Sequence, residues 1–255
     1  MALLEAHEIS KRFGRITALD TISIDADSGE AIGLIGPNGA GKTTLFNCLL
    51  GILRPDSGSV VFDGVRLDHL PTHRRSRLGL ARTFQRMELF TGMTVREHLF
   101  VAGEAATRSA RHWWDVRGWP WWWQSVSPDE RSQADETISL LGLDDVADTV
   151  VEALTLGQGR LVELGRALAS RPRLLMLDEP SSGLDANETA ALAGVLRRVR
   201  EEHGTTIVLV EHDLHMVSQV VDRVIVLVLG RLVAEGTMEE VMASPMVRDA
   251  YLGAS

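Results

Sequence analysis

The chain has 255 residues, 45% of them apolar, a single cysteine and a formal net charge of −9. That size and apolar share support one large domain, or a domain with a lobe; the negative charge argues against a nucleic-acid role; one thiol excludes an intramolecular disulfide and fits a reducing compartment. The start, Met1 to Glu8, has neither the basic residues nor the apolar run of a signal peptide, and the apolar stretch Val224 to Leu229 is too short to span a bilayer, so the chain is expected to be soluble by itself and to reach a membrane through a partner.

Residues near 3–9 and 21–27 alternate as strands do, with Lys11-Arg12-Phe13-Gly14-Arg15 separating them. Ala31-Ile32-Gly33-Leu34-Ile35 is an unbroken apolar run and reads as a buried strand. It leads into Gly36-Pro37-Asn38-Gly39-Ala40-Gly41-Lys42-Thr43-Thr44, and Leu45 to Leu50 then reads as the start of a helix. Strand, glycine loop and helix in that order are the setting of a phosphate-binding P-loop. Glycines let the backbone wrap closely enough for several N–H groups to aim at one anion, and the helix N-terminus adds partial positive charge. Lys42 then reaches the β- and γ-phosphates of a nucleotide, and Thr43 offers its hydroxyl to Mg²⁺. Cys48 lies on the apolar side of that helix and reads as a packed core thiol.

Further on, Pro55-Asp56-Ser57-Gly58 reads as a turn, Ser59 to Phe62 as a strand and Asp63-Gly64 as a hairpin turn, which places a small antiparallel sheet around the P-loop unit. Arg74, Arg75, Arg77 and Arg82 read as a solvated basic face. Leu80 to Gln85 reads as a short strand entering a loop, and Thr94 and Glu97 have capping-box spacing at a helix start. All six tryptophans fall between Trp113 and Trp123. Exposing them all would far exceed the apolar patch of about a few hundred Å² that monomers tolerate. The segment 107–128 is therefore expected either to fold back onto the chain or to cover something outside it. Ser127-Pro128 opens another helix, to about Leu141.

From Leu174 strand and helix alternate: 174–177, about 187–202, then 206–210. This predicts a parallel sheet with both faces covered. The first of these strands ends in Asp178-Glu179. Carboxylates at the carboxyl end of such a strand lie beside the P-loop, where Asp178 suits Mg²⁺ and Glu179 suits polarising a water. His98, His203 and His215 lack metal-ligand spacing and read as surface or packing residues.

Taken together, these motifs and their order resemble the ATP-binding-cassette (ABC) ATPases over nearly the whole chain, apart from roughly residues 107–128. Gly36 to Thr44 matches the Walker A motif, and Leu174 to Glu179 the Walker B motif. Gln85 matches the Q-loop glutamine, Ser181 to Asp185 the D-loop, and His212 the switch histidine. Leu154-Thr155-Leu156-Gly157-Gln158 matches the family signature: Thr155 keeps the hydroxyl of the commoner serine, Leu156 replaces a glycine, and Gly157 still allows close backbone approach to phosphate.

The resemblance implies one ABC ATPase domain over 1–255, an α/β P-loop NTPase core with a parallel sheet, an antiparallel β-subdomain and an α-helical subdomain at about 86–160 that carries the tryptophan-rich insert 107–128. It implies ATP and Mg²⁺ as cofactors. Phe13 would lie against adenine, and Gly36, Pro37, Asn38, Gly39, Ala40, Gly41, Lys42, Thr43 and Thr44 would surround the phosphates. Thr155, Gly157, Gln158 and Asp185 would complete the nucleotide site. Thr43, Gln85 and Asp178 would hold the metal, and Glu179, His212, Lys42 and Gln85 would carry catalysis. In the family two cassettes meet head to tail, and one's signature covers the other's ATP. The implied partners are a second ABC ATPase subunit, transmembrane permease subunits and, indirectly, a solute-binding protein, with no nucleic acid. The implied location is the cytoplasmic face of the cell membrane.

Several strings resemble the branched-chain amino acid importer branch: Arg82-Thr83-Phe84-Gln85, Met93-Thr94-Val95, Glu211-His212-Asp213-Leu214, Gly236-Thr237 and Ala250-Tyr251-Leu252-Gly253. That branch often has a bulky residue at the position of Leu156. Urea or amide importers and lipopolysaccharide exporters share much of this pattern, and a soluble ABC ATPase outside transport is the alternative of a different class. The tryptophan cluster falls in the helical lobe that contacts permeases in this family, so part of it is expected to contact the membrane partner or lipid headgroups.

Overall fold

The computed structural model describes residues 2–83, 89–107 and 128–252. Gln85 and the tryptophan cluster Trp113 to Trp123 lie outside the described residues, so the expectations attached to them are not addressed by it. The chain divides into two compact units, 1–82 with 173–255, and 83–172. Among the described residues no helix is long and apolar enough to cross a membrane.

The first unit holds two sheets. One is antiparallel, in the order β2-β1-β4-β5, made from β1 (Ala2–Phe13), β2 (Ile16–Asp27), β4 (Ser57–Phe62) and β5 (Val65–Arg66). The other has the order β10-β9-β3-β8-β7-β6. Its members are β3 (Ala31–Ile35), β6 (Leu80–Arg82), β7 (Leu174–Asp178), β8 (Thr206–Val210), β9 (Arg223–Val228) and β10 (Arg231–Gly236). All its pairings are parallel except β9 with β10. Strands β3, β7 and β8 are buried along their whole length. Both of their faces are covered, and this is why they read as unbroken apolar runs rather than alternations.

The P-loop helix α1 (Lys42–Leu50) joins both sheets in one apolar core that includes Leu4, Ile22, Phe46, Leu49, Phe62, Met176 and Val208. Cys48 is fully buried in it, as its place on the helix's apolar side suggests. Around the sheets run α2 (Thr72–Arg77), α6 (Ala186–His203), α7 (Leu214–Val220), α8 (Met238–Ala243) and α9 (Pro245–Leu252).

The first two strands are longer than their apolar alternation indicates. β1 continues through Lys11-Arg12-Phe13, and Phe13 pairs with Ile16 across a turn at Gly14-Arg15. A tertiary contact accounts for the extension. Asp56 accepts the Lys11 ammonium at 2.8 Å and the Arg12 N–H at 2.7 Å, which holds polar residues in extended conformation. β4 likewise begins at Ser57, because Ser57 pairs with Ser10.

The second unit contains α3 (Val95–Thr107), α4 (Pro128–Leu141) and α5 (Leu156–Leu168). The expected capping box opens α3: Thr94 N–H donates to Glu97 Oε2 at 2.8 Å, and Glu97 N–H donates to Thr94 Oγ1 at 3.2 Å. The three helices converge at Gly165. A Cβ there would lie 2.6 Å from Leu99 of α3 and 2.6 Å from Leu141 of α4. Arg96 ties α3 to Asp148 at 2.8 Å and also pairs with Asp135.

Candidate active site

β3 delivers the P-loop and α1 leads away from it. A Cβ on Gly36 (φ 147°) would sit 2.1 Å from the Leu227 carbonyl oxygen, and one on Gly41 (φ 103°) 2.6 Å from that of Ala18. Only glycine fits either place. Gly41 is the N-cap of α1, and no side chain caps that helix. The amides of Lys42, Thr43 and Thr44 open the first turn, where a helix has no carbonyl of its own to offer them. An uncapped helix end of this kind presents N–H groups and partial positive charge to an anion.

Lys42 is buried, and its ammonium donates to the carbonyls of Gly36 at 2.7 Å and Pro37 at 3.1 Å. Burial pushes its pKa down, while the fields of Glu179 and Asp178 push it back up. The donor is thus held by neutral loop carbonyls, which a phosphate oxygen can replace. Thr43 is exposed on the first turn, as are Asn38 and Gly39 in the loop.

Register brings the other residues to this level. Leu34 of β3 pairs with Val210 of β8, and Val210 pairs with Asp178 of β7. Three parallel strands thus end together, and the loops after them leave the sheet side by side. Asp178 is buried at the end of β7. Glu179 follows with φ 50°, a left-handed conformation that costs a non-glycine residue about 1–2 kcal/mol. Its N–H donates to the Val210 carbonyl at 2.8 Å, and its own carbonyl accepts the Ser182 N–H at 3.1 Å. So held, its carboxylate Oε1 lies 2.7 Å from His212 Nε2. His212 is positioned in turn by Asp213, the N-cap of α7, which accepts the N–H groups of His215 and Met216 at 2.9 and 3.1 Å. A carboxylate and an imidazole in contact beside a buried lysine can accept a proton from water and bind an anionic oxygen.

Phe13 ends β1, 47% exposed as a residue, with the Lys11 ammonium 5.7 Å from the ring centre. An exposed aromatic face is available there for stacking. Asp185 serves its own helix: one carboxylate oxygen accepts the N–H groups of Asn187 and Glu188, capping α6.

In the helical unit the signature forms the start of α5. Thr155 is its N-cap; Thr155 Oγ1 accepts the Gln158 N–H at 3.2 Å, and Thr155 N–H donates to the Gln158 side chain at 2.9 Å. Thr155 uses its oxygen as an acceptor here, which leaves the hydroxyl proton to donate. Leu156 is the first helical residue and largely exposed, and Gly157 is buried.

Two residues acquire roles that the sequence reading did not assign. Arg75 does not belong to a solvated face; it is 5% exposed. Its guanidinium donates to the carbonyls of Leu49 and Leu67 at 2.8 Å and of Leu70 at 3.0 Å, capping the last turn of α1, where a cation is favoured by the helix dipole. Gly51 makes room for it, since a Cβ there would meet the guanidinium at 2.4 Å. The arginine cluster gave no hint, because the carbonyls Arg75 serves come from other parts of the chain. The second is Glu211, buried beside His212. Its signal was available: a carboxylate directly after an apolar strand, one register step from Asp178-Glu179. His98 is a packing histidine, as read. It is buried, accepts the Phe90 N–H at 2.8 Å, and its Nδ1 lies 3.0 Å from the Thr94 carbonyl.

Comparison with known proteins shows the family and the fold. The family model described as ABC transporter matches residues 19–182, and that described as branched-chain amino acid ATP-binding cassette transporter matches residues 231–255. The high-affinity branched-chain amino acid transport ATP-binding protein BraF of Pseudomonas aeruginosa is 36% identical, with 98% of each chain covered. The lipopolysaccharide export system ATP-binding protein LptB of Haemophilus influenzae is 31% identical, over 99% of this chain and 98% of its own. Among solved structures, the ADP conformation of MJ1267, an ATP-binding cassette of an ABC transporter, superimposes with a TM-score of 0.86 at 29% identity, covering 99% of both chains.

Proposed function

The chain belongs to the ABC transporter ATP-binding proteins, and on that premise we propose that it is the ATP-hydrolysing subunit of an importer for branched-chain or related amino acids, active when two cassettes close on each other. The observation that carries the catalytic part is the 2.7 Å contact between Glu179 and His212 at adjacent strand ends. Lys42, the P-loop from Gly36 to Thr44 with the N–H groups of its non-proline residues, and the Phe13 ring bind and orient ATP. Glu179 takes the proton of the attacking water, and His212 holds a γ-phosphate oxygen and orients that water. Mg²⁺, when bound, neutralises charge on the β- and γ-phosphate oxygens. The Thr43 hydroxyl and the Asp178 carboxylate are hard oxygen donors that fit it, with Gln85 as the third by resemblance. Such a site relies on phosphate oxygens for its remaining ligands.

Thr155, Gly157, Gln158 and Asp185 act across the pair, with the Thr155 hydroxyl and the α5 amides supplying donors to the γ-phosphate of the opposite cassette. Phosphoryl transfer depends on positioning and charge stabilisation, so a half-surrounded phosphate reacts slowly and closure completes the enzyme. Permease subunits couple that closure to transport, a binding protein delivers the solute, and the subunit works at the cytoplasmic face of the membrane. The cargo assignment is supported by the match at residues 231–255 and by the higher identity to BraF than to LptB.

The test is direct. Glu179→Gln should bind ATP with parental affinity and lose turnover by about 10²–10⁴-fold, and Lys42→Ala should lose affinity and turnover together. Parental hydrolysis by Glu179→Gln would remove the assignment of the base. For cargo, the chain assembled with its permeases in vesicles should take up leucine on ATP addition; uptake of urea alone would reassign it.

A further inference from the structure

Glu211 is 3% exposed and sits between the two catalytic loops. Its Oε1 accepts the Ser181 N–H at 2.8 Å and the Ser181 hydroxyl at 2.6 Å. Its Oε2 accepts the His212 N–H at 2.9 Å, with the Asp213 N–H at 3.5 Å. Every partner is a donor, so both oxygens serve as acceptors. Ser181 is two residues after Glu179, and His212 immediately follows Glu211. With the His212–Glu179 contact at 2.7 Å, these bonds close a ring: Glu179 runs by backbone to Ser181, Ser181 bonds Glu211, Glu211 runs to His212, and His212 returns to Glu179.

We propose that Glu211 is a positioning residue for ATP hydrolysis, the clamp that locks the loop bearing Glu179 to the loop bearing His212 so that base and phosphate ligand hold one relative geometry. It acts through Ser181 and His212 and not on the reacting atoms. The sheet alone cannot do this. Strand register aligns the loops only as far as Asp178 and Val210, and beyond that level Glu179 is held in a left-handed backbone conformation. Such a conformation persists only where surrounding contacts over-determine it, and the Ser181–Glu211 bonds are among those contacts. The same bonds give movement of the Ser181 segment a direct route to His212. The inference rests on the hydrolytic reading of Glu179 and His212 given above.

Glu211→Gln keeps the length of the side chain but turns one acceptor oxygen into a donor, which must then face either Ser181 or the His212 amide. Measured on the full chain at concentrations that support pairing, kcat should fall roughly 10–100-fold, as for a misplacement of about 1 Å, with ATP affinity within about twofold of parental. Ser181→Ala removes only the hydroxyl donor; it should give a smaller loss in kcat, Ser181→Thr should restore it, and adding Ser181→Ala to Glu211→Gln should cost little more. In spectra of labelled histidine, the His212 imidazole resonances should move in Glu211→Gln while those of His203 stay in place. Parental kcat in both Glu211→Gln and Ser181→Ala overturns the proposal. So does a fall in kcat matched by equal falls in ATP affinity and folded fraction, which is the mark of a merely structural carboxylate. Glu179→Gln run alongside separates the levels: if it is inactive while Glu211→Gln and Ser181→Ala are both parental, only the clamp fails; if Glu179→Gln still turns over, the hydrolytic reading fails with it.

Discussion

The strand-end cluster of the sheet unit and the α5 N-terminus of the helical unit are both proposed to meet phosphate, but they are built by opposite means. Glu179, His212 and Lys42 are brought to one end of the sheet from three places in the chain by parallel register, and Glu179 and His212 meet there in a side-chain contact. Thr155 and Gln158 are three residues apart and cap their own helix with bonds that need nothing outside that turn. The difference separates two routes to a preorganised donor. A local cap can form with its helix, whereas the strand-end cluster exists only once the whole sheet has folded. Substitutions that damage packing far away should therefore harm the cluster and spare the signature.

The largest effect expected on that contrast comes from Arg75. Arg75→Met keeps the aliphatic volume but leaves the carbonyls of Leu49, Leu67 and Leu70 without this donor. At about 1–3 kcal/mol for a buried acceptor stripped of its partner, a total loss of roughly 3 kcal/mol is expected in urea denaturation, and ATP affinity should suffer because α1 carries the P-loop. A stable Arg75→Met chain with normal affinity would show that the α1 C-terminus is not a supporting point of the site.

Thr155→Ala comes next. Loss of the cap should cost about 1 kcal/mol, read as a lowered denaturation midpoint, together with a larger loss of turnover, while nucleotide affinity of the isolated chain stays parental. Thr155→Ser should restore both. If Thr155→Ala changed stability and not turnover, the hydroxyl would be a cap and nothing more.

The smallest effect is a pH slope from Cys48. Burial pushes its thiol from the usual 9.0 up to about 11. Below pH 9.0 folded and unfolded chains both keep the proton, and the group adds no slope. Between 9.0 and about 11 the unfolded chain releases its proton first, so stability falls as pH rises. Cys48→Ala should lack that part of the slope, and the parental thiol should resist alkylation at neutral pH until the chain unfolds.

Much of the site was legible because its chemistry is written in adjacent residues. The P-loop is one contiguous stretch, Asp178 ends its strand with Glu179 directly after it, and the caps at Thr94 and Thr155 are spaced for a single helical turn. The strand ends at Phe13 and Ser57 were not legible, since Asp56 and Ser10 extend them by contacts across more than forty residues. Arg75 was missed because it looks like an ordinary surface charge until the carbonyls that bury it are known. Glu211 stands directly after the apolar strand Thr206–Val210, a legible position, but its partner Ser181 lies thirty residues away.

By itself, then, the order of residues determined the family, the phosphate loop, the acidic strand end and the local caps, because each depends on interactions within one element or on motifs read in line. Only the tertiary structure decided that Glu179 adopts a left-handed backbone, that it meets His212, that Arg75 caps the P-loop helix from beneath and that Glu211 joins the two catalytic loops. These depend on which strands lie next to each other and in what register, and buried polar groups select partners by proximity after folding, not by distance along the chain.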